Sequence, residues 1–138
     1  MRRFCYLVTL LAAPVAYADT APPNCGIYTY QAQILRVVDG DTVEADIDLG
    51  FDIWIKSEHL RLHRVEAPEN NTDAGKRTTE ALRNRIEGKT LYVCTHKMTR
   101  KNREAKGSFG RYLIDIYDEG ENVNDWLLET GLAVPFEK

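Results

Sequence analysis

Six charged side chains in this chain of 138 residues have the types and the spacing to act on a phosphate. Asp39 and Asp41 flank Gly40, Arg61 stands further on, Glu66 and Glu69 bracket Ala67-Pro68, and Arg111 follows Phe109-Gly110. Carboxylate oxygens suit a hard divalent cation, and a guanidinium fork suits a phosphate. Four acids converging on one cleft repel one another unless a cation lies between them. A metal beside clamped phosphates is an arrangement for cutting a phosphodiester. Each residue alone has a plainer use. Asp-Gly supplies hairpin-turn geometry, and an arginine on a strand face pairs with an acid on its neighbour. The signal is the set.

The elements that must position these groups are short. Residues 31–38 are apolar-rich and read as a strand that ends at Asp39-Gly40. Val43, Ala45, Ile47 and Leu49 then alternate with Thr42, Glu44, Asp46 and Asp48, the pattern of a half-buried antiparallel strand. Residues 50–58 read as an elaborated hairpin connection, and Leu60 and Leu62 open a third strand ended by Pro68. Asn70-Asn71-Thr72-Asp73 is helix-cap chemistry, followed by Ala74, Thr78, Ala81, Leu82 and Ile86 at helical spacing and Gly88 as a stop. Residues 91–95 form a fourth strand, and Tyr112, Ile114 and Ile116 mark a fifth. Asn122 caps a short helix carrying Val123, Trp126 and Leu127. The fold class is mainly β with helices. The element order is that of a five-stranded OB barrel with two packed helices, although other α+β meanders share it.

The chain begins with a different kind of segment. Arg2 and Arg3 precede an apolar stretch at 4–16, and Ala16-Tyr17-Ala18 offers a small-x-small cleavage site. This is the pattern of a cleavable signal peptide over residues 1–18, with a leader over 19–30 and one domain over 31–138. The apolar stretch has thirteen residues, short of the roughly 20 that span a bilayer. Cleavage removes two arginines and no acid, leaving 16 basic against 21 acidic residues and a net charge of −5. That disfavours a passive, charge-driven nucleic-acid binder. A local basic run, Lys97, Arg100, Lys101, Arg103 and Lys106, leaves room for phosphate contacts by Lys97, Lys101 and Lys106, or for a solvated loop. Cys5 leaves with the signal, so Cys25 and Cys94 remain as an even pair in an oxidising compartment. A disulfide between them is expected, two buried thiols being the alternative. His59 and His63 lie four residues apart along a strand, about 13 Å, too far to share one ion. With His96 they read as structural or solvated.

Val38-Asp39-Gly40-Asp41-Thr42, Arg61-Leu62-His63-Arg64-Val65-Glu66-Ala67-Pro68-Glu69, Phe109-Gly110-Arg111 and Val123-Asn124 through Gly131-Leu132-Ala133, in that order, resemble the staphylococcal nuclease (thermonuclease) family. The resemblance implies an OB barrel and a Ca²⁺-dependent, sugar-nonspecific nuclease that leaves 3′-phosphates. It implies Asp41 and Glu66 as metal ligands with Asp39 lining the same site, Glu69 as the residue that activates water, and Arg61 and Arg111 as the phosphate clamp. Glu66 is one methylene longer than the aspartate usual there, and Phe109 replaces a common tyrosine. The expectation is therefore an exported nuclease, secreted or periplasmic, monomeric, acting on DNA and RNA, with no stable membrane association after cleavage. The alternative is an OB-fold module that grips single-stranded nucleic acid without cutting it.

Overall fold

The computed structural model describes residues 21–96 and 105–136. The expected signal peptide, Lys97 and Lys101 lie outside them. Alternation decides the first hairpin. In β2 (Thr42–Asp48), Val43, Ala45 and Ile47 are buried while Glu44, Asp46 and Asp48 stay partly in water. β1 (Thr29–Asp39) pairs with it antiparallel, from Gln31 opposite Asp48 to Asp39 opposite Thr42. Leu49 lies past the end of β2 and is exposed, because the chain turns there through Gly50, Phe51 and Asp52, all at positive φ.

β3 (Trp54–Leu62) begins six residues before the first leucine of the expected third strand. Residues 54–58 are strand, not connection: Trp54 pairs with Asp48, Ile55 with Ile47 and Glu58 with Ala45. The shift in register between Ala45 and Ile47 explains the misreading. Ser57 sits at φ 52 and donates its N–H to Asp46 Oδ1 at 2.9 Å, so the alternation breaks there. β4 (Val65–Glu66) follows a turn at His63-Arg64.

Helix α1 (Asp73–Ile86) is capped by Thr72, whose hydroxyl accepts from Gly75 N, and it buries Thr78, Leu82 and Ile86. After Gly88, at φ 80, the chain enters β5 (Thr90–Thr95). β6 (Tyr112–Asp118) pairs antiparallel with β5, and the short β7 (Glu121–Asn122) leads into α2 (Val123–Glu129). Asn122 caps α2 by accepting from the N–H groups of Asn124 and Asp125. β8 (Val134–Pro135) pairs with β4.

The main sheet runs β3-β2-β1-β5-β6-β7, and β6 also pairs in parallel with β3. That last pairing closes a five-stranded OB barrel, with two helices packed on it. Ile34, Leu60, Leu62, Leu82, Ile114 and Leu127 are fully buried in one core. Cys25 and Cys94 form a disulfide across 69 residues, which ties the leader to β5. In the chain-entropy picture a cross-link over a loop of that length contributes about 4 kcal/mol.

Gly75 packs α1 directly on the chain that carries Glu69. A Cβ there would overlap the Glu69 carbonyl. Gly75→Ala is expected to lower stability by about 1–3 kcal/mol, the range for overpacking, in urea unfolding. An unchanged midpoint would show that α1 can shift away freely.

Candidate active site

The β1–β2 turn holds the acids in place through its own backbone. Asp39 Oδ1 accepts from Asp41 N at 3.1 Å, and Asp41 O accepts from Leu62 N of β3 at 2.9 Å. Gly40 is required by close approach: a Cβ would lie 2.6 Å from Ala67 Cβ and 2.8 Å from Thr78 Cγ2. The turn is thus wedged between the exit of β4 and the first turns of α1.

Asp41 is 5% exposed and every oxygen of its carboxylate is engaged. Oδ2 accepts from Ala67 N at 3.0 Å, while Oδ1 accepts from Arg61 Nη1 and from Thr42 Oγ1. Arg61 also reaches forward, donating from Nη2 to Glu66 Oε2 at 2.9 Å and to Val65 O at 3.2 Å. One guanidinium therefore joins the acid of the first hairpin to the acid of β4. Arg111 arrives from the other side. It precedes β6, whose parallel pairing with β3 sets Leu113 opposite Arg61, and its Nη1 donates to Thr42 Oγ1 at 3.0 Å. Thr42 links the two arginine sites, giving its proton to Asp41 and accepting from Arg111. No sequence reading singled it out as a site residue. Its position beside Asp41 in Asp39-Gly40-Asp41-Thr42 was the available signal.

Glu69 is exposed, and its backbone is fixed by the α1 cap: its carbonyl accepts from Thr72 N at 2.9 Å and from Thr72 Oγ1 at 2.7 Å. Lys106 lies 4.0 Å from the centre of the Tyr112 ring. Arg61, Glu66, Lys106, Phe109 and Arg111 line one cleft of about 660 Å³. Of the four acids, Glu66 lies on its wall, while Asp39, Asp41 and Glu69 are not among its wall residues. Phe109 is 95% exposed at φ 60, with the Arg111 guanidinium 5.6 Å from its ring centre.

The histidines divide. His59 is exposed, with Glu44 3.7 Å away. His63 and His96 come together, ring centres 3.7 Å apart, beside the buried Asp115. Burial, and His96 next to it, push His63 below the usual imidazole range. Sequence spacing within one strand excluded His59 with His63 but said nothing about a partner brought by another strand.

Burial holds the Asp41 carboxyl above the ordinary aspartate value of 3.8, and Asp39 adds to the rise; the Ala67 N–H and Arg61 oppose it. Because the folded chain binds this proton more tightly than the unfolded chain, the contribution is greatest below that value. It declines as pH rises through the folded pKa. In chelator, Asp41→Asn is expected to gain stability relative to the parent protein as pH rises from about 4 to 7. Urea unfolding at several pH values measures this, and a steadily growing deficit for the variant would contradict it.

Comparison with known proteins bears on what this arrangement belongs to. A family model described as staphylococcal nuclease homologue matches residues 59–138, the stretch that carries Arg61, Glu66, Glu69 and Arg111. The chain is similar to an uncharacterized endonuclease of Escherichia coli O157:H7, 29% identical over 140 residues, covering 100% of this chain and 76% of that protein. It is also similar to a probable staphylococcal-like nuclease of Oryza sativa subsp. japonica, 32% identical over 84 residues, 61% of this chain and 23% of the plant protein. The closed barrel and the family match agree, and the chain belongs to the staphylococcal nuclease homologues.

Proposed function

We propose that this protein is an exported, Ca²⁺-dependent nuclease that hydrolyses DNA and RNA with little sequence specificity and leaves 3′-phosphates. The observation that carries the reading is the convergence of Arg61 and Arg111 on one cleft, each tied through Asp41 or Thr42 to the acid turn. The donors suit the ion. Asp39, Asp41 and Glu66 offer only oxygen, and a buried Asp41 raised in pKa by burial and Asp39 favours a nearby cation. When bound, Ca²⁺ supplies Lewis-acid polarisation of the phosphoryl group.

The chain's own residues do the rest. Arg61 and Arg111, planar and permanently charged, grip the non-bridging phosphate oxygens and stabilise the charge that builds up in the transition state. Thr42 orients Arg111 by accepting from its Nη1. Glu69 takes the proton of the attacking water, whose oxygen bonds to phosphorus as the bond to the 5′-oxygen breaks, and the departing oxygen takes a proton from solvent to leave as the 5′-hydroxyl. Lys106, on the cleft wall, contributes positive charge to the substrate backbone in a protein whose overall charge is negative. The Cys25–Cys94 disulfide and the signal-like residues 1–18 support export to the periplasm or beyond.

The decisive assay incubates the mature protein with single-stranded and duplex DNA and with RNA, in Ca²⁺ or in chelator. Cleavage in Ca²⁺ alone is expected; cleavage of none of them rejects the proposal in favour of a binding module. Glu69→Gln is expected to slow turnover by about 10²–10⁴-fold with folding intact. Arg111→Ala should lose far more activity than Arg64→Ala, since Arg64 pairs with Asp125 at 2.7 Å. Equal losses would mean that only general positive charge matters.

A further inference from the structure

A second group of ligand-type side chains lies outside the acid turn. His63 comes from the turn after β3, His96 from the residue after β5, and Asp115 from the middle of β6. β6 lies between the other two strands, pairing with both, so barrel closure is what brings the three together. One ligand atom from each lies within 4.8 Å of the others. Asp115 Oδ2 is 3.0 Å from His96 Nε2, and Oδ1 is 3.9 Å from His63 Nδ1.

Two further observations separate this group from an ordinary hydrogen-bonded cluster. Among the described residues, His63 Nδ1 is buried with no hydrogen-bond partner, a state that in a folded protein calls for an explanation such as an ion. The carboxylate is also held from behind. Asn124, fully buried on α2, donates to Asp115 Oδ1 at 2.9 Å and to the carbonyls of His63 and Ile114 at 3.0 and 2.9 Å. An amide that fixes a ligand carboxylate and the backbone of a ligand histidine is the kind of outer support that metal sites carry.

We propose that His63, His96 and Asp115 form a site for a divalent first-row transition metal, zinc above all, distinct from the acid turn. Two imidazoles and one carboxylate are the donors of three-ligand zinc sites, in which a fourth position stays open to water. Calcium is disfavoured because it takes oxygen ligands. Zinc holds nitrogen and oxygen at about 2.0–2.2 Å, so its ligand atoms stand roughly 3.3–3.5 Å apart, a spacing that the present Asp115–His96 and Asp115–His63 separations of 3.0 and 3.9 Å bracket. An ion here would pin the turn before Glu66 to the end of β5. It would also add positive charge beside the cleft, whose wall includes His63.

The test uses tag-free protein stripped with chelator and titrated with Co²⁺ as a spectroscopic probe. One equivalent is expected to bind with the visible absorption of low-coordinate Co²⁺, to be displaced by Zn²⁺, and to resist excess Ca²⁺. His96→Ala and His63→Gln should each weaken binding at least about ten-fold, while His59→Ala leaves it unchanged. The proposal is overturned by the absence of stoichiometric binding, or by binding that survives both substitutions. The cluster would then be a hydrogen-bonded element only. None of these readouts depends on cleavage, so they stand apart from the nuclease assay.

Discussion

Arg61 organises the region around the site. Its side chain is 18% exposed, and its guanidinium bonds to the nearly buried Asp41 on one side and reaches Glu66 on the other. Burying a carboxylate is costly, and an arginine beside it offsets that cost without turning it into a large gain. The persistence of the burial cost is visible in Asp41, whose carboxyl stays above its ordinary pKa even with Arg61 in contact. Such an arrangement is poorly justified as a source of stability. It makes sense as a site under electrostatic tension, where a cation near the acids and an anion near the arginines would each relieve a cost.

Barrel closure is what converts separate motifs into that site. The parallel contact of β3 with β6 sets Arg61 and Arg111 near one another, and Thr42 connects Arg111 to Asp41, the carboxylate that Arg61 bonds. The same contact delivers Asp115 to His63, with β5 bringing His96. One strand contact thus serves both groups, the acids that Arg61 bonds and the two histidines with Asp115. Asn124 is the common brace: its side chain contacts Asp115, accepts from Ile116 N and reaches the turn that leads to Glu66.

Local patterns in the chain were good guides wherever one local force dominated. The alternation of β2, the Thr72 and Asn122 caps and the glycine stop after α1 all correspond to what is seen. They failed where a bulge interrupted periodicity, as at Ser57, so that residues 54–58 read as loop. Asp115 shows a different limit. It stands between Ile114 and Ile116 on β6 and is nevertheless buried, among His63, His96 and Asn124.

The residue types able to bind a hard metal, grip a phosphate and move a proton were readable from one dimension, because carboxylates, guanidinium groups and their placement at strand ends are local facts. Cys25 and Cys94 were readable as a candidate pair once Cys5 is set aside with the expected signal peptide; that they bridge rather than stay two thiols is decided by the fold. Which acid Arg61 would hold, that Thr42 would couple Asp41 to Arg111, and that two histidines 33 residues apart would stack beside an aspartate were not readable. Those relations depend on the register of β3 against β6 and of β6 against β5. Register across a closed barrel is settled by how all the strands pack at once, and no local stretch of chain encodes it.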